Sequence, residues 1–152
     1  MRGEVQKQEV KMTPDQVKLV QQSFARAVPI SDAAAVLFYD RLFEIAPSVK
    51  PMFPADMTEQ RKKLMSTLAV VVNGLGNLET VLPAASALAK RHVGYGVKPE
   101  HYPLVGVALL WTLQRGLGDH WTPEVADAWT AAYATLSGFM ISEAYGRPQP
   151  AV

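Results

Sequence analysis

The sequence has 152 residues and is 49% hydrophobic, which is enough to form one domain with a sizeable core. Fifteen basic residues against fourteen acidic ones leave a net charge of +1, so the composition predicts neither a nucleic-acid surface nor a surface for an anionic membrane. The absence of cysteine excludes disulfides, thiolate metal sites and cysteine nucleophiles, and it is compatible with a reducing cytosol.

Two further features of the sequence bear on its location. Residues 1–11 lack the apolar run of a signal peptide. The longest apolar stretch, residues 102–113, is shorter than the about 20 residues that a helix needs to span a bilayer. We therefore expect a soluble, cytoplasmic protein.

Apolar residues recur at helical spacing along nearly the whole chain, and no stretch shows the sustained alternation of a strand. After a flexible polar tail over residues 1–12, Thr13 and Pro14 predict the start of a first helix, because a hydroxyl cap followed by proline favours a helix N-terminus. Ser31 and Asp32 are the predicted cap residues of a second helix that runs to about Ile45. Apolar residues surround most of this second helix, which predicts burial on several sides.

The remaining chain is predicted from its prolines, glycines and caps. Closely spaced prolines indicate a short helical turn and then an exposed corner, at Pro47, Pro51 and Pro54. Four further helices are predicted to begin near Thr58, Pro83, Pro99 and Thr122. Residues 147–152 are predicted to form a flexible C-terminal tail. The sequence thus predicts an all-α domain over residues 13–146, with six or seven helices joined by short loops.

Among the three histidines, His92 has the surroundings that favour a metal ligand. It follows Leu88 by one helical turn, so its ring emerges on an apolar face. A backbone carbonyl one turn earlier can accept the Nδ1–H and leave Nε2 free for a metal. Without its surroundings, a histidine at the end of a helix such as His92 could also be a capping or surface residue. His101 and His120 lie beside predicted loops, and we interpret them as surface or boundary residues.

Three other residues allow a structural as well as a functional interpretation. Tyr39 lies in a strongly apolar helix, where a buried hydroxyl needs a hydrogen-bond partner, and a backbone carbonyl would suffice. Gln60 is either a solvated glutamine of the first helical turn or a polar group facing a site. Phe53, between two prolines, is either an aromatic plug over the core or part of a binding wall.

Taken together, these residues resemble the globin family. Tyr39 precedes Pro47 by eight residues and Pro47 precedes Phe53 by six, as in the globin segment that leads to the haem-stacking phenylalanine. Three stretches look like single-domain bacterial haemoglobins and the haem domains of flavohaemoglobins: LFYDRLFEIAPSV, EQRKKLM and AKRHVGYGVKPEHYPLVGVALLWTL. The resemblance covers about residues 13–146. It implies a globin fold around a haem pocket, with the D helix absent or minimal.

The resemblance also implies roles for individual residues. His92 becomes the metal ligand of haem b, and Tyr39 and Gln60 become the distal pair that binds O2. Six residues become haem contacts: Phe53, Leu64, Leu88, Arg91, Val97 and Tyr102. Flavohaemoglobins carry a proximal network that here would join Tyr102, Glu143 and His92. Glu143 stands one position out of register, so the sequence leaves this network open.

Three classes of function follow from the resemblance. The first is binding of O2, and of NO and CO, with tight O2 retention for oxygen transport, storage, sensing or scavenging. The second is nitric oxide dioxygenase activity in nitric oxide detoxification, which would need a separate reductase because these 152 residues contain no flavin or nicotinamide domain. The third is a haem-free globin-like sensor module, against which His92 and Phe53 argue. We expect a monomer or a homodimer, with no nucleic-acid or membrane partner.

Overall fold

The computed structural model describes residues 12–145, and the all-α prediction is confirmed over this range, where no strand occurs. The described chain forms six α-helices: α1 Pro14–Ala27, α2 Ser31–Ile45, α3 Thr58–Asn73, α4 Leu82–Gly94, α5 His101–Leu117 and α6 Pro123–Tyr145. Short 3-10 helices occupy Val28–Ile30, Pro47–Met52, Leu75–Thr80 and Gly118–His120. Both predicted tails lie outside the described residues, except for Met12, which packs against the core.

Two predicted helix caps are confirmed by their hydrogen bonds. The backbone N–H of Gln16 donates to Thr13 Oγ1 over 3.1 Å, and the N–H of Thr13 donates to Gln16 Oε1 over 3.0 Å. This reciprocal pair is a capping box, which satisfies two backbone groups at the start of α1. At α6, the N–H of Val125 donates to Thr122 Oγ1 over 3.2 Å.

One expectation for α2 is wrong. Ser31 does not cap the helix, because its N–H bonds the Val28 carbonyl of the preceding 3-10 helix and its backbone is already helical, with φ −59° and ψ −37°. A cap residue requires a non-helical backbone. The expected burial on several sides agrees with the packing of α2 against both α5 and α3, although Val36 is 40% exposed.

The helices pack in pairs that enclose a central space. α1 and α4 both pack against α6, α2 packs against α5, and α3 contacts α1 and α2. The segment from residue 53 to residue 57 forms no helix, which agrees with the expected absence of a D helix. Within the described chain, no helix combines the length and apolar character that crossing a bilayer requires.

Two clusters of buried side chains form the core. The larger is built mainly from α1, α2, α5 and α6, and beside it the Trp129 indole N–H donates to Ser23 Oγ over 2.8 Å. This bond satisfies both buried groups. The smaller cluster lies beneath α4, whose own buried residues are only Ala85 and Ala89. Because α4 buries so little bulk, the space beside it stays open.

Helices α5 and α6 approach closely at Gly106. A Cβ atom added at Gly106 would lie 2.7 Å from Tyr133 Cε2. The Tyr133 ring has little freedom to move away, because its hydroxyl donates to the Tyr102 carbonyl over 2.6 Å. The absence of a side chain at Gly106 is therefore a packing requirement of this helix pair.

We expect Gly106→Ala to lower the free energy of unfolding by up to about 2 kcal/mol, because overpacking costs roughly 1–3 kcal/mol and alanine returns about 1 kcal/mol of helix propensity. Gly138→Ala on α6 is the matched control, since a Cβ there meets no atom within 4 Å. The control should raise stability by up to about 1 kcal/mol. Urea unfolding of the three proteins measures both changes, and a Gly106→Ala protein as stable as the control would contradict the close approach.

Candidate functional site

A largely apolar cavity of about 200 Å³ lies at the centre of the molecule, and all six helices contribute to its wall. No aspartate, glutamate, lysine or arginine lines it. Of the lining residues, only His92 and His101 can carry a positive charge. The cavity therefore suits a large apolar ligand that meets imidazole groups at defined points.

The His92 ring is fixed by the helix that carries it. Its Nδ1–H donates to the Leu88 carbonyl over 2.7 Å, as the sequence analysis predicted. Burial lowers the pKa of His92, although the bond to Leu88 opposes this effect, so the ring favours its neutral form. With Nδ1 engaged, Nε2 is the nitrogen left for a metal. Within residues 12–145, His92 belongs to no cluster of three or more metal-binding side chains.

Aromatic rings surround His92 on its own side of the cavity. The Tyr102 ring stacks near it, with 6.3 Å between ring centroids and an interplanar angle of 29°. The Tyr95 ring lies 6.4 Å away. These rings limit rotation of the imidazole in addition to the hydrogen bond.

Tyr39 and Gln60 are joined by a hydrogen bond. The Gln60 amide Nε2 donates to the Tyr39 hydroxyl oxygen over 3.0 Å, across helices α2 and α3. Burial raises the pKa of Tyr39, with the bond from Gln60 acting in the opposite direction, so the hydroxyl keeps its proton. The Tyr39 ring packs edge-on against Phe53, with centroids 5.5 Å apart. Neither Tyr39 nor Gln60 belongs to the cavity wall itself.

The structure brings together most of the residues expected to contact a cofactor. Five of them line the cavity: Phe53, Leu64, Leu88, Val97 and Tyr102. Arg91 is exposed and is not part of the wall. His101, interpreted from the sequence as a surface or boundary residue, is half-buried and lines the cavity. Its position next to Tyr102, on a helix whose apolar residues face inward, was the signal that could have revealed it.

The network of Tyr102, Glu143 and His92 is not formed in the described part of the chain. Glu143 Oε1 accepts a hydrogen bond of 2.6 Å from the Ser86 hydroxyl. His92 Nδ1 is engaged with the Leu88 carbonyl, and the buried Tyr102 hydroxyl has no partner among residues 12–145. The proximal side therefore uses a backbone carbonyl where the network would place a carboxylate.

Comparison with known proteins gives concordant matches. The profile of the Globin family matches residues 36–140. A flavohemoprotein of Rhodopirellula baltica is 36% identical over 107 residues, which are 68% of this chain and 26% of that protein. A flavohemoprotein of Vibrio cholerae is 30% identical over 135 residues, which are 86% of this chain and 34% of that protein. The chain thus spans about a quarter to a third of these relatives.

A solved structure matches over nearly its whole length. It is a bacterial globin from Campylobacter jejuni, with a TM-score of 0.77 and 28% sequence identity. The alignment covers 86% of this chain and 95% of that one.

Proposed function

Because this chain belongs to the globin family and has the globin fold that its sequence predicted, we propose that its cavity binds haem b and that His92 is the only protein ligand of the iron. The observation that carries the proposal is a neutral histidine, fixed by the Leu88 carbonyl, on the wall of a cavity without charged side chains. We propose the cytoplasm as the location, with which a cysteine-free composition is compatible.

The side chains that line the cavity are chemically suited to a porphyrin. Apolar side chains of the wall, among them Phe53, Leu64 and Val97, would contact the macrocycle. A single imidazole with Nδ1 engaged by a backbone carbonyl is the ligand arrangement by which globins hold haem iron. When bound, haem supplies the site for O2, CO and NO and the redox chemistry.

Tyr39 would retain O2 in this pocket through its hydroxyl proton. Gln60 donates to the Tyr39 oxygen and so occupies one of its lone pairs. The Tyr39 proton is then free to be donated to a diatomic ligand, which is the polar contact that favours O2 over CO. We therefore propose that Gln60 acts by orienting Tyr39, and that the pair makes O2 release slow. Slow release suits oxygen storage, sensing or scavenging better than bulk delivery.

The first test is haem binding by the wild type and by His92→Ala. The wild type should develop a Soret band on titration with haem, and His92→Ala should lose the band or bind weakly, because no other side chain replaces Nε2. His120→Ala is the control, since His120 is exposed and lies away from the cavity. Normal haem retention by His92→Ala would contradict the proposal, and a wild type that takes up no haem would favour the haem-free sensor module.

The second test is the O2 dissociation rate of the ferrous protein. Tyr39→Phe removes one hydroxyl at constant ring size, and we expect at least about tenfold faster release, equivalent to about 1.4 kcal/mol. CO release should change much less. Tyr95→Phe is the control, because it also removes one hydroxyl but keeps the ring beside His92, and Tyr95 does not line the cavity. Equal O2 release by the wild type and Tyr39→Phe would contradict tight retention by Tyr39.

The same O2 dissociation assay tests whether Gln60 acts by orienting Tyr39. Gln60→Leu should accelerate O2 release less than Tyr39→Phe does. In the Tyr39→Phe background, Gln60→Leu should have no further effect, because the group that it orients is gone. Full additivity of the two substitutions would show that Gln60 donates to the ligand independently of Tyr39.

The similarity to flavohemoproteins favours a second candidate function, nitric oxide dioxygenase activity with electrons from a separate reductase. One nitrate ion forms from one nitric oxide, one O2 and one electron. Stopped-flow mixing of the oxygenated protein with nitric oxide should give one equivalent of nitrate rapidly, and continued turnover only with an added reductase and its electron donor. Slow or absent nitrate formation would leave ligand binding as the function.

A further inference from the structure

His101 stands at the outer end of the cavity. It is the first residue of α5 and half-buried, whereas Tyr102 and Leu109 further along the same helix are 5% and 7% exposed. All three line the cavity. Exposure thus falls from His101 inward, which places this imidazole where the cavity meets solvent.

The hydrogen bonding of His101 defines which ring nitrogen can donate. The backbone N–H of Lys98 donates to His101 Nδ1 over 2.9 Å. A nitrogen that accepts carries no proton, so in the neutral ring the proton resides on Nε2. Within residues 12–145, no side chain or carbonyl accepts a hydrogen bond from Nε2. The ring is therefore held by one nitrogen and offers the other as a donor.

We propose that His101 is a carboxylate-binding residue of the cavity and that its Nε2–H donates to a propionate of the bound porphyrin; this inference rests on the proposed haem binding. A haem has apolar faces and two carboxylates, and the carboxylates cannot enter a wall without charged or ionisable partners. Apart from His92, which the iron would engage, His101 is the only lining residue with an imidazole N–H to donate. Hydrogen bonds to a charged acceptor are also stronger than neutral ones.

One alternative is that His101 serves only to brace the turn before α5 through Lys98. His101→Asn separates the two roles. The asparagine Oδ1 occupies the place of Nδ1 and can still accept from the Lys98 N–H, whereas no atom of asparagine reaches the position of Nε2. The variant therefore keeps the turn and removes the donor. His120→Asn is the matched control on an exposed histidine.

The experiment measures the rate of haem transfer from each protein to an excess of a stronger haem-binding apoprotein. Each protein is loaded either with haem or with haem dimethyl ester, in which both carboxylates are blocked. With haem, we expect His101→Asn to lose the porphyrin about tenfold faster than the wild type and the control. With the dimethyl ester, the wild type should lose it as fast as His101→Asn does, because there is no carboxylate for Nε2 to bind.

The outcomes separate this inference from the proposed function. Equal acceleration of haem and ester loss in His101→Asn would overturn the carboxylate role and leave a packing role. Unchanged loss of both porphyrins would also overturn it, while haem binding itself would stand. A wild type that takes up neither porphyrin would overturn haem binding and the His101 inference together. His92→Ala should accelerate the loss of haem and of the ester by the same factor relative to the wild type, since its contact would be to the metal.

Discussion

The hydrogen bond from His92 Nδ1 to the Leu88 carbonyl is the interaction on which the candidate site depends. It joins residues four apart on one helix, so α4 must stay helical up to His92 for the bond to exist. It fixes the tautomer and the rotation of the ring at once, and both are needed before Nε2 can act as a ligand. The bond lies in the last two turns of α4, where the negative end of the helix dipole further favours the N–H donor.

The identity of that acceptor would also decide how strongly His92 donates to the iron of the proposed haem. A carboxylate on Nδ1 would make the imidazole more basic and would favour activation of O2, whereas a backbone carbonyl does so less. Glu143, which stands one position out of register with the carboxylate of the related networks, accepts a hydrogen bond from Ser86 instead. Tyr102 keeps its ring beside His92 but has no partner for its hydroxyl among the described residues. This proximal arrangement is consistent with reversible ligand binding as the first candidate function.

The features predicted correctly from the sequence are those that depend on neighbours within one helical turn. The Thr13 cap and the bond from His92 to Leu88 are of this kind, because three- and four-residue spacings are fixed by helix geometry. The prediction that Ser31 caps α2 was wrong, because Ser31 follows a 3-10 helix and its own backbone is already helical. His101 was missed because its contact with the cavity depends on how α5 is placed in the fold.

Pairs of residues far apart in the sequence could not be predicted, because their contacts depend on how the helices are placed in the fold. Gln60 and Tyr39 are 21 residues apart, and the direction of donation between them depends on how α2 and α3 cross. Ser86 and Glu143 are 57 residues apart on helices that meet only in the folded chain. The family resemblance identified Tyr39 and Gln60 as a pair, but only the structure gives the direction of their hydrogen bond, from the Gln60 amide to the Tyr39 oxygen.

The cavity itself explains why this fold would be coupled to its ligand. A cavity of about 200 Å³ leaves its lining side chains without packing contacts that an apolar ligand would supply on binding. The buried residues of α4 are only Ala85 and Ala89, whereas other helices bury leucine, methionine and phenylalanine. Because α4 buries so little bulk and holds the His92 ring beside the cavity, we expect ligand binding to supply packing contacts that stabilise the native state.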